Sequence, residues 1–292
     1  MYKSGYVGII GIPNVGKTTL LNALIGQKIA IISPKPQTTR GKILGILSEP
    51  NMQAVFLDTP GYHRPKNKLG ETMIKAVNET IGEADVLIAV TEPTEEIRAS
   101  ELEILERSKP LPAILVINKC DTVKKDKLLP VIEKYSKVRS FLQILPISAK
   151  TGDGLELVKS AIFEALPEGP MYYPEDMVTD QPEKQIVAEI IREKMLRLLD
   201  KEVPHGIAIE IVKMKEGDKL TSISANIFCE KESHKGIIIG SGGKTLKKIG
   251  YLARKECEKM LETQVFLELW VKVKKDWRNS NYLLKEFGLS QN

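Results

Sequence analysis

The sequence predicts an α/β protein in two parts: an N-terminal domain with a mostly parallel sheet and helices on both faces, then a smaller α+β domain. Three observations carry this: alternating β-rich and helical runs over residues 6–166, a proline-rich break at 167–182, and an αββααβ order beyond it. A chain of 292 residues suggests about two domains, each able to bury a core without staples. We place the first domain at 1–168, a linker at 169–182, and the second domain with a C-terminal helix at 183–292.

In the first domain the β-rich runs are 6–12, 41–47, 54–57, 86–90, 113–117 and 142–146, with helical patterns at 17–25 and 155–166. Strands separated by helices build a parallel sheet. No helix separates 41–47 from 54–57, so one antiparallel hairpin turning near 49–51 is expected within it. The four prolines from Pro167 to Pro182 cannot continue a helix or a central strand, and they make the linker a semi-rigid spacer. Beyond it, an amphipathic helix at 183–199 buries Ile186, Ile190, Ile191, Met195, Leu198 and Leu199. Strands follow at 206–213 and 220–229, a short apolar segment at 236–239, a helix at 244–261 and a strand at 264–273.

Composition excludes several classes. Hydrophobic residues at 42% and charged residues at 28% are ordinary for a folded chain and argue against long disorder. Cys120, Cys229 and Cys257 show no CxxC spacing, which supports neither a disulfide framework nor a zinc site and fits a reducing cytoplasm. Residues 1–12 are apolar but broken by Gly5, Gly8 and Gly11, and read as a strand, not a signal peptide. No apolar run reaches the roughly 20 residues of a membrane helix, so only a peripheral contact, at the inner face of the cell membrane, stays open. The net charge of +5 lies wholly beyond residue 180: 22 basic and 22 acidic residues precede that point, and 21 and 16 follow it. A polyanionic partner would therefore meet the second domain, although a solvated lysine-rich surface gives the same count.

Gly11-Ile12-Pro13-Asn14-Val15-Gly16-Lys17-Thr18 fits GxxxxGK[ST] directly after a strand and at the start of a helix. Glycines let the backbone curl so that N–H groups of the turn, through Thr19, face phosphate oxygens. Lys17 reaches the β/γ-phosphates and the Thr18 hydroxyl ligates Mg²⁺. Asp58-Thr59-Pro60-Gly61 ends an apolar strand, where the carboxylate can hold Mg²⁺ and the Gly61 N–H can meet a γ-phosphate. Asn118-Lys119-Cys120-Asp121 follows another strand, and Asp121 can accept from the N1–H and N2 amino group of guanine, a donor pair adenine lacks. Ser148-Ala149-Lys150 adds a backbone N–H from Ala149 toward the base oxygen.

Four motifs in this order resemble those of translation-factor-class GTPases over residues 6–166. The resemblance implies that Gln37-Thr38-Thr39-Arg40 is switch I, with Thr39 the second Mg²⁺ ligand and Thr38 the alternative, and that 62–68 is switch II. Lys17, Thr39, Gly61 and Asn14 would then act on the reacting phosphate. Tyr62 stands where Ras-type enzymes carry a water-orienting Gln, so catalysis is organised otherwise. Asn14 with Thr38-Thr39-Arg40 resembles GTPases in which K⁺ replaces an arginine finger. His63 reads as a solvent-exposed loop histidine and not as a base.

In the second domain Gly240-Ser241-Gly242-Gly243 is a GxxG loop between two helices, where a nucleic-acid backbone can come close. Lys244, Lys247, Lys248, Tyr251, Arg254 and Lys255 crowd one side of the following helix, a phosphate track opposite an apolar stripe. Trp270, in the last strand, is expected in the core and not as a base-stacking platform. The element order with GxxG resembles a type II KH domain. The whole chain, a GTPase domain joined to this KH domain, resembles the Era family of ribosome-assembly GTPases. That resemblance implies GTP and GDP with Mg²⁺ as ligands, small-subunit ribosomal RNA near its 3′ end and the small ribosomal subunit as partners, no DNA, and a monomer. Two alternatives stay open: an RNA-binding module whose nucleotide domain only senses a ligand, and an ATP-driven RNA enzyme.

Overall fold

The structure, a computed structural model, describes residues 2–94 and 96–289. The outermost expected bounds, 1 and 292, lie outside the described residues. The chain forms two compact units. The first comprises the chain up to Ala30, Thr39–Lys66 and Gly70–Asp180; the second comprises Ile31–Thr38, Asn67–Leu69 and the chain from Gln181 onward.

The sheet of the first unit contains β1 (Lys3–Ile10), β2 (Ile43–Glu49), β3 (Met52–Asp58), β4 (Val86–Thr91), β5 (Ala113–Ile117) and β6 (Ile144–Pro146), in the order β2-β3-β1-β4-β5-β6. The expected hairpin is present: β2 pairs antiparallel with β3 and every other pairing is parallel. Alternate residues feed two cores. Val7, Ile9, Ile88, Val90, Ile114 and Val116 pack on one face, and Ile10, Leu87, Ala89, Leu115 and Ile117 on the other. Burial on both faces explains why these strands read as continuous apolar runs.

The helices are α1 (Lys17–Ile25), α2 (Lys68–Glu83), α3 (Ala99–Arg107), α4 (Leu128–Ser136) and α5 (Leu155–Ala165). Only α1 and α5 were expected. The other three are amphipathic, burying Met73 and Val77 in α2, Ile104 and Leu105 in α3, and Val131 and Tyr135 in α4, but Gly70 and Gly82 in α2, Pro130 in α4 and the nine-residue length of α3 interrupt or shorten the pattern. The chain leaves β1 toward β2 and β3 on one side and later reaches β4 on the other. The loop after β1 therefore lies at a topological switch point, where open α/β sheets bind ligands.

The proline-rich stretch is a strap and not a free spacer up to Asp180. Ser4 donates its N–H to Pro167 O (3.1 Å), Ile46 its N–H to Val178 O (2.9 Å), and Thr179 its hydroxyl to Leu44 O (2.7 Å). Fully buried Gln53 accepts from the N–H groups of Tyr172 (2.7 Å) and Tyr173 (3.0 Å). Its amide also donates to Tyr173 O (2.9 Å).

The second unit is built from α6 (Glu183–Leu198), β7 (Ala208–Lys215), β8 (Leu220–Cys229), α7 (Glu232–Ile239), α8 (Lys244–Leu261), β9 (Gln264–Val273) and α9 (Asn281–Glu286). Its sheet runs β7-β8-β9, antiparallel then parallel. The αββααβ order is as expected, and the segment at 236–239 is the end of helix α7. Ile190, Ile191 and Met195 from α6, Ile249, Ala253 and Cys257 from α8, and Ile223, Ala225 and Ile227 from β8 form one core. Among the described residues no helix is long and apolar enough to cross a membrane.

Replacing Gln53 by Leu keeps its volume but strands the two tyrosine N–H groups. We expect a loss of about 3 kcal/mol in urea unfolding, at the common cost of an unsatisfied donor.

Candidate nucleotide site and nucleic-acid face

The phosphate-binding turn runs from Gly11 at the end of β1 to Lys17 at the start of α1. Asn14 (φ 68°) and Gly16 (φ 95°) both adopt positive φ, which curls the turn. Lys17 is buried, with its Nζ donating to Gly11 O (3.1 Å) and Ile12 O (3.0 Å). Gly61 closes against this turn. A Cβ there would lie 2.5 Å from Pro13 Cα, so no side chain fits. Thr59 and Pro60 are buried behind it, and Thr59 donates to Ile9 O (2.7 Å).

Thr18, Thr39 and Asp58 converge in the first unit. Thr18 donates to Asp58 Oδ2 (2.6 Å), and the Thr18 and Thr39 hydroxyls lie 2.9 Å apart. Asp58 Oδ1 is buried without a hydrogen-bond partner. Two hydroxyls and a carboxylate with a spare oxygen fit a hard divalent cation that takes oxygen ligands. The Thr38 hydroxyl donates instead to Lys35 O (2.7 Å), which favours Thr39 of the two switch I candidates.

Burial pushes the Asp58 carboxyl up to about 6, against the pull of Lys17 and of hydrogen bonds from Thr18, Thr59 and Thr39. Burial likewise holds Lys17 down at about 8, with Asp58 opposing it. Both charges are costly without a ligand.

The base side is assembled around Asn118. Its Nδ2 donates to Val15 O (2.9 Å), its Oδ1 accepts the Ala149 N–H (2.9 Å), and its own N–H bonds Thr91 O (2.8 Å). The Ala149 N–H, expected to face the base oxygen, donates here to the Asn118 side-chain oxygen. Ser148 donates to Asp121 Oδ1 (2.7 Å) and so orients an exposed carboxylate. Lys119 reaches back to Asn14 O (2.6 Å) and pairs with Glu92. Lys150 is exposed, and Thr19 is half-buried on α1.

Tyr62 is buried among Ile10, Val77 and Ile104, with Arg107 5.6 Å from its ring centre. Burial first, and then a hydrogen bond to Glu103, push its hydroxyl up to about 12. The residue in the usual Gln position is therefore committed to the core. His63 is half-buried and donates from Nδ1 to Gly61 O (2.8 Å).

Sequence reasoning missed Arg192, Glu193 and Lys194, consecutive charged residues buried on α6. Within the second unit Glu193 accepts the Ile32 N–H (3.2 Å) and Arg192 donates to Thr38 O. Glu193 and Arg192 thus hold the segment that leads into Thr39, while Lys194 pairs with Glu193 and Glu256. Three adjacent charges inside an amphipathic helix are the signal that could have revealed them.

In the GxxG loop Gly242 (φ 58°) and Gly243 (φ 75°) take the left-handed conformation, with open space around both. Ser241, Lys244, Lys247, Lys248, Tyr251, Arg254 and Lys255 are all exposed, while Ile249, Ala253 and Cys257 line the buried side of α8. Arg254 and Lys255 flank the Tyr251 ring at 6.0 and 4.9 Å. Gly240 starts the turn, and Ile237 beside it is 51% exposed. Trp270 departs from expectation: it is 61% exposed, on the face of β9 away from the helices. Glu268 and Lys272 share its parity along the strand, which was the sequence signal for the outer face.

A phosphate-binding turn, a carboxylate–hydroxyl cluster and a guanine-suited carboxylate, joined in one chain to a GxxG unit, define a guanine-nucleotide-binding P-loop protein with an appended KH module. Residues 6–119 match the family model described as 50S ribosome-binding GTPase, and residues 202–278 match the KH domain model. GTPase Era of Ruminiclostridium cellulolyticum is 52% identical over 294 residues, covering 100% of this chain and 99% of that one. GTPase Era of Clostridium botulinum is 51% identical over 291 residues, covering 99% and 98%. A crystal structure of Era with MgGDPNP and nucleotides 1506–1542 of 16S ribosomal RNA aligns with TM-score 0.96 and 43% identity over 100% of both chains. An Aquifex aeolicus Era variant bound to GDP and AlF4⁻ aligns with TM-score 0.96 and 43% identity, covering 99% of this chain and 100% of that one. The chain belongs to the Era family of GTPases.

Because the folded pKa of Asp58 lies above its unfolded value, its stabilising contribution is complete in acid and is lost as pH rises through about 6. Asp58→Asn is expected to raise the melting temperature of the nucleotide-free chain at pH 8 by a few degrees and clearly less at pH 5. Thermal unfolding at the two pH values checks this.

Proposed function

We propose that this chain binds Mg²⁺–GTP, hydrolyses it to GDP and phosphate, and uses the nucleotide state to control binding of small-subunit ribosomal RNA during assembly of the small ribosomal subunit. The observation that carries the reading is the Asn118 bridge. It ties the phosphate turn, the Asp121 loop and the Ser148 loop into one site with a carboxylate set for guanine. The solved relative holding MgGDPNP and 16S ribosomal RNA supports both ligands. Relatives named as GTPases favour turnover over a module that only senses its ligand.

In this reading the N–H groups of the turn from Gly11 to Thr19 cradle the phosphates, and Lys17 and the Gly61 N–H meet the γ-phosphate. Thr18, Thr39 and Asp58 hold Mg²⁺, which neutralises charge between the β- and γ-phosphates when bound. Water attacks the γ-phosphorus in line with the departing GDP oxygen. With Tyr62 in the core, Asn14 and switch I would hold a K⁺ ion, which would supply the positive charge that an arginine finger brings elsewhere. Thr39 is also where the chain passes back from the second unit to the first, which supports a switch that ties γ-phosphate to RNA affinity. Gly240, Ser241, Gly242 and Gly243 admit the RNA backbone, and Lys244, Lys247, Lys248 and Arg254 track its phosphates.

All the motif residues come from one chain, so a monomer suffices. We divide that chain into a nucleotide domain through 168, the strap, and an RNA-binding domain from 183. Its place is a reducing cytoplasm, where its three free thiols persist, with any membrane contact peripheral.

Asp121→Asn turns one acceptor into a donor facing guanine donors. GTP affinity is expected to fall by several kcal/mol, and xanthosine triphosphate to recover much of it. Unchanged GTP affinity in a nucleotide-binding titration rejects the guanine assignment and with it this function.

Turnover is expected to be faster in potassium than in sodium. Asn14→Gly, which keeps the positive φ, should abolish that difference while GTP binding survives. Steady-state phosphate release in the two salts decides it.

A further inference from the structure

The second unit has a sheet face that the GxxG helices do not cover. Along β9, Val265, Leu267, Leu269, Val271 and Val273 pack into the core under the helices, so Phe266, Glu268, Trp270 and Lys272 point the other way. Trp270 is 61% exposed and Phe266 is 54% exposed. Strand register lines this face up in rows: Lys215, Ser222 and Phe266; then Lys213, Ser224 and Glu268; then Glu210, Asn226 and Trp270. In these rows the central strand contributes only short polar side chains, Ser222, Ser224 and Asn226. The floor is therefore low between aromatic rings on one edge strand and exposed lysines on the other.

The chain covers one end of this face itself. Phe287 stacks on Phe228 at 4.9 Å, and Trp277, fully buried, meets Phe287 edge-on at 5.5 Å. One tryptophan is thus buried in that roof, while the other is left in solvent a short way along the same sheet.

We propose that this open face is a second RNA-binding surface, on which unpaired bases stack on Trp270 and Phe266. It rests on the RNA-binding reading above and adds a site distinct from the GxxG loop. The two rings stand four residues apart on one strand, about 13 Å, with only the Glu268 side chain between them. Each offers a planar face to a base, a sequence-tolerant contact that single-stranded RNA uses on other sheet platforms. Lys213, Lys215 and Lys272 supply charge for the phosphates. The two carboxylates on the face accept from neighbouring side chains, Glu268 from the Ser224 hydroxyl (2.8 Å) and Glu210 from the Asn226 amide (2.8 Å), and the three lysines outweigh their charge. A protein partner fits less well. Two separated rings expose far less than the roughly 800 Å² per partner that a stable protein interface buries.

The test uses the full chain with Mg²⁺ and a non-hydrolysable GTP analogue, titrated with an unstructured, mixed-sequence RNA of about twenty nucleotides. Trp277 is buried, so quenching of tryptophan fluorescence at saturation reports on Trp270. Trp270→Ala should remove the quench, and Trp270→Ala and Phe266→Ala should each weaken binding about five-fold to a hundred-fold, while Trp270→Phe retains most of the affinity. Ser241→Asp with Gly242→Asp should weaken binding through the other site yet leave the quench when RNA saturates. Unchanged affinity in both alanine variants, with no quench in the parent, overturns the sheet-face site. If the GxxG variant still loses binding, the RNA reading survives that failure; if it does not, both readings fall. A concentration-dependent dimer that Trp270→Ala dissolves also overturns the proposal, in favour of self-association.

Discussion

The nucleotide site depends on one buried side chain, Asn118. Its amide donates to Val15 and accepts from Ala149, while its backbone N–H is tied to Thr91. Loops following β1 and β6 anchor themselves in the core through Ile12, Val15, Ile147 and Ala149, and Asn118 after β5 ties their backbones together. A buried amide bonded through both its nitrogen and its oxygen helps fix their spacing, because moving either partner loop would strand a polar group away from water. The positions of Lys17, Asp121 and Ser148 follow from that constraint. Gly61 adds a steric limit, since it closes on Pro13 with no room for a Cβ.

The same site stores electrostatic tension. Lys17 and Asp58 are both buried, and burial shifts each toward its neutral form. Polyphosphate and a divalent cation would supply the missing counter-charges, so ligand binding relieves a cost that folding imposed. Tyr62 shows the opposite use of burial. It is held in the core, which gives the position after DxxG a packing role.

In the second unit a single sheet separates two surfaces. One face carries the helices and, beyond them, the GxxG loop and its lysines. The other is roofed at one end by Phe287 and Trp277 and is open where Phe266 and Trp270 stand. The buried charges on α6 act elsewhere. Glu193 and Arg192 hold the segment Ile31–Thr38, so residues just before Thr39 fold with the second unit. A segment near the phosphate turn in sequence thus owes its conformation to residues some 160 positions later.

The sequence by itself determined where the strands of the two units fall along the chain, the hairpin before Asp58, and the four nucleotide motifs. These are local patterns in which residue type, spacing and the flanking strand fix the chemistry. It left α2, α3 and α4 unread because glycines in α2, Pro130 in α4 and the nine-residue length of α3 break or shorten an otherwise amphipathic pattern. Parity along β9 held the answer for Trp270, since Glu268 and Lys272 share its face, but hydrophobicity alone argued for the core. Only the tertiary structure decided that Thr39 and not Thr38 faces Thr18, that Ala149 serves Asn118, that the proline-rich stretch is a strap on Gln53, and that three consecutive charges on α6 are buried. Each of these depends on which distant polar group stands within hydrogen-bond reach, and that is set by packing and not by any pattern in the neighbouring residues.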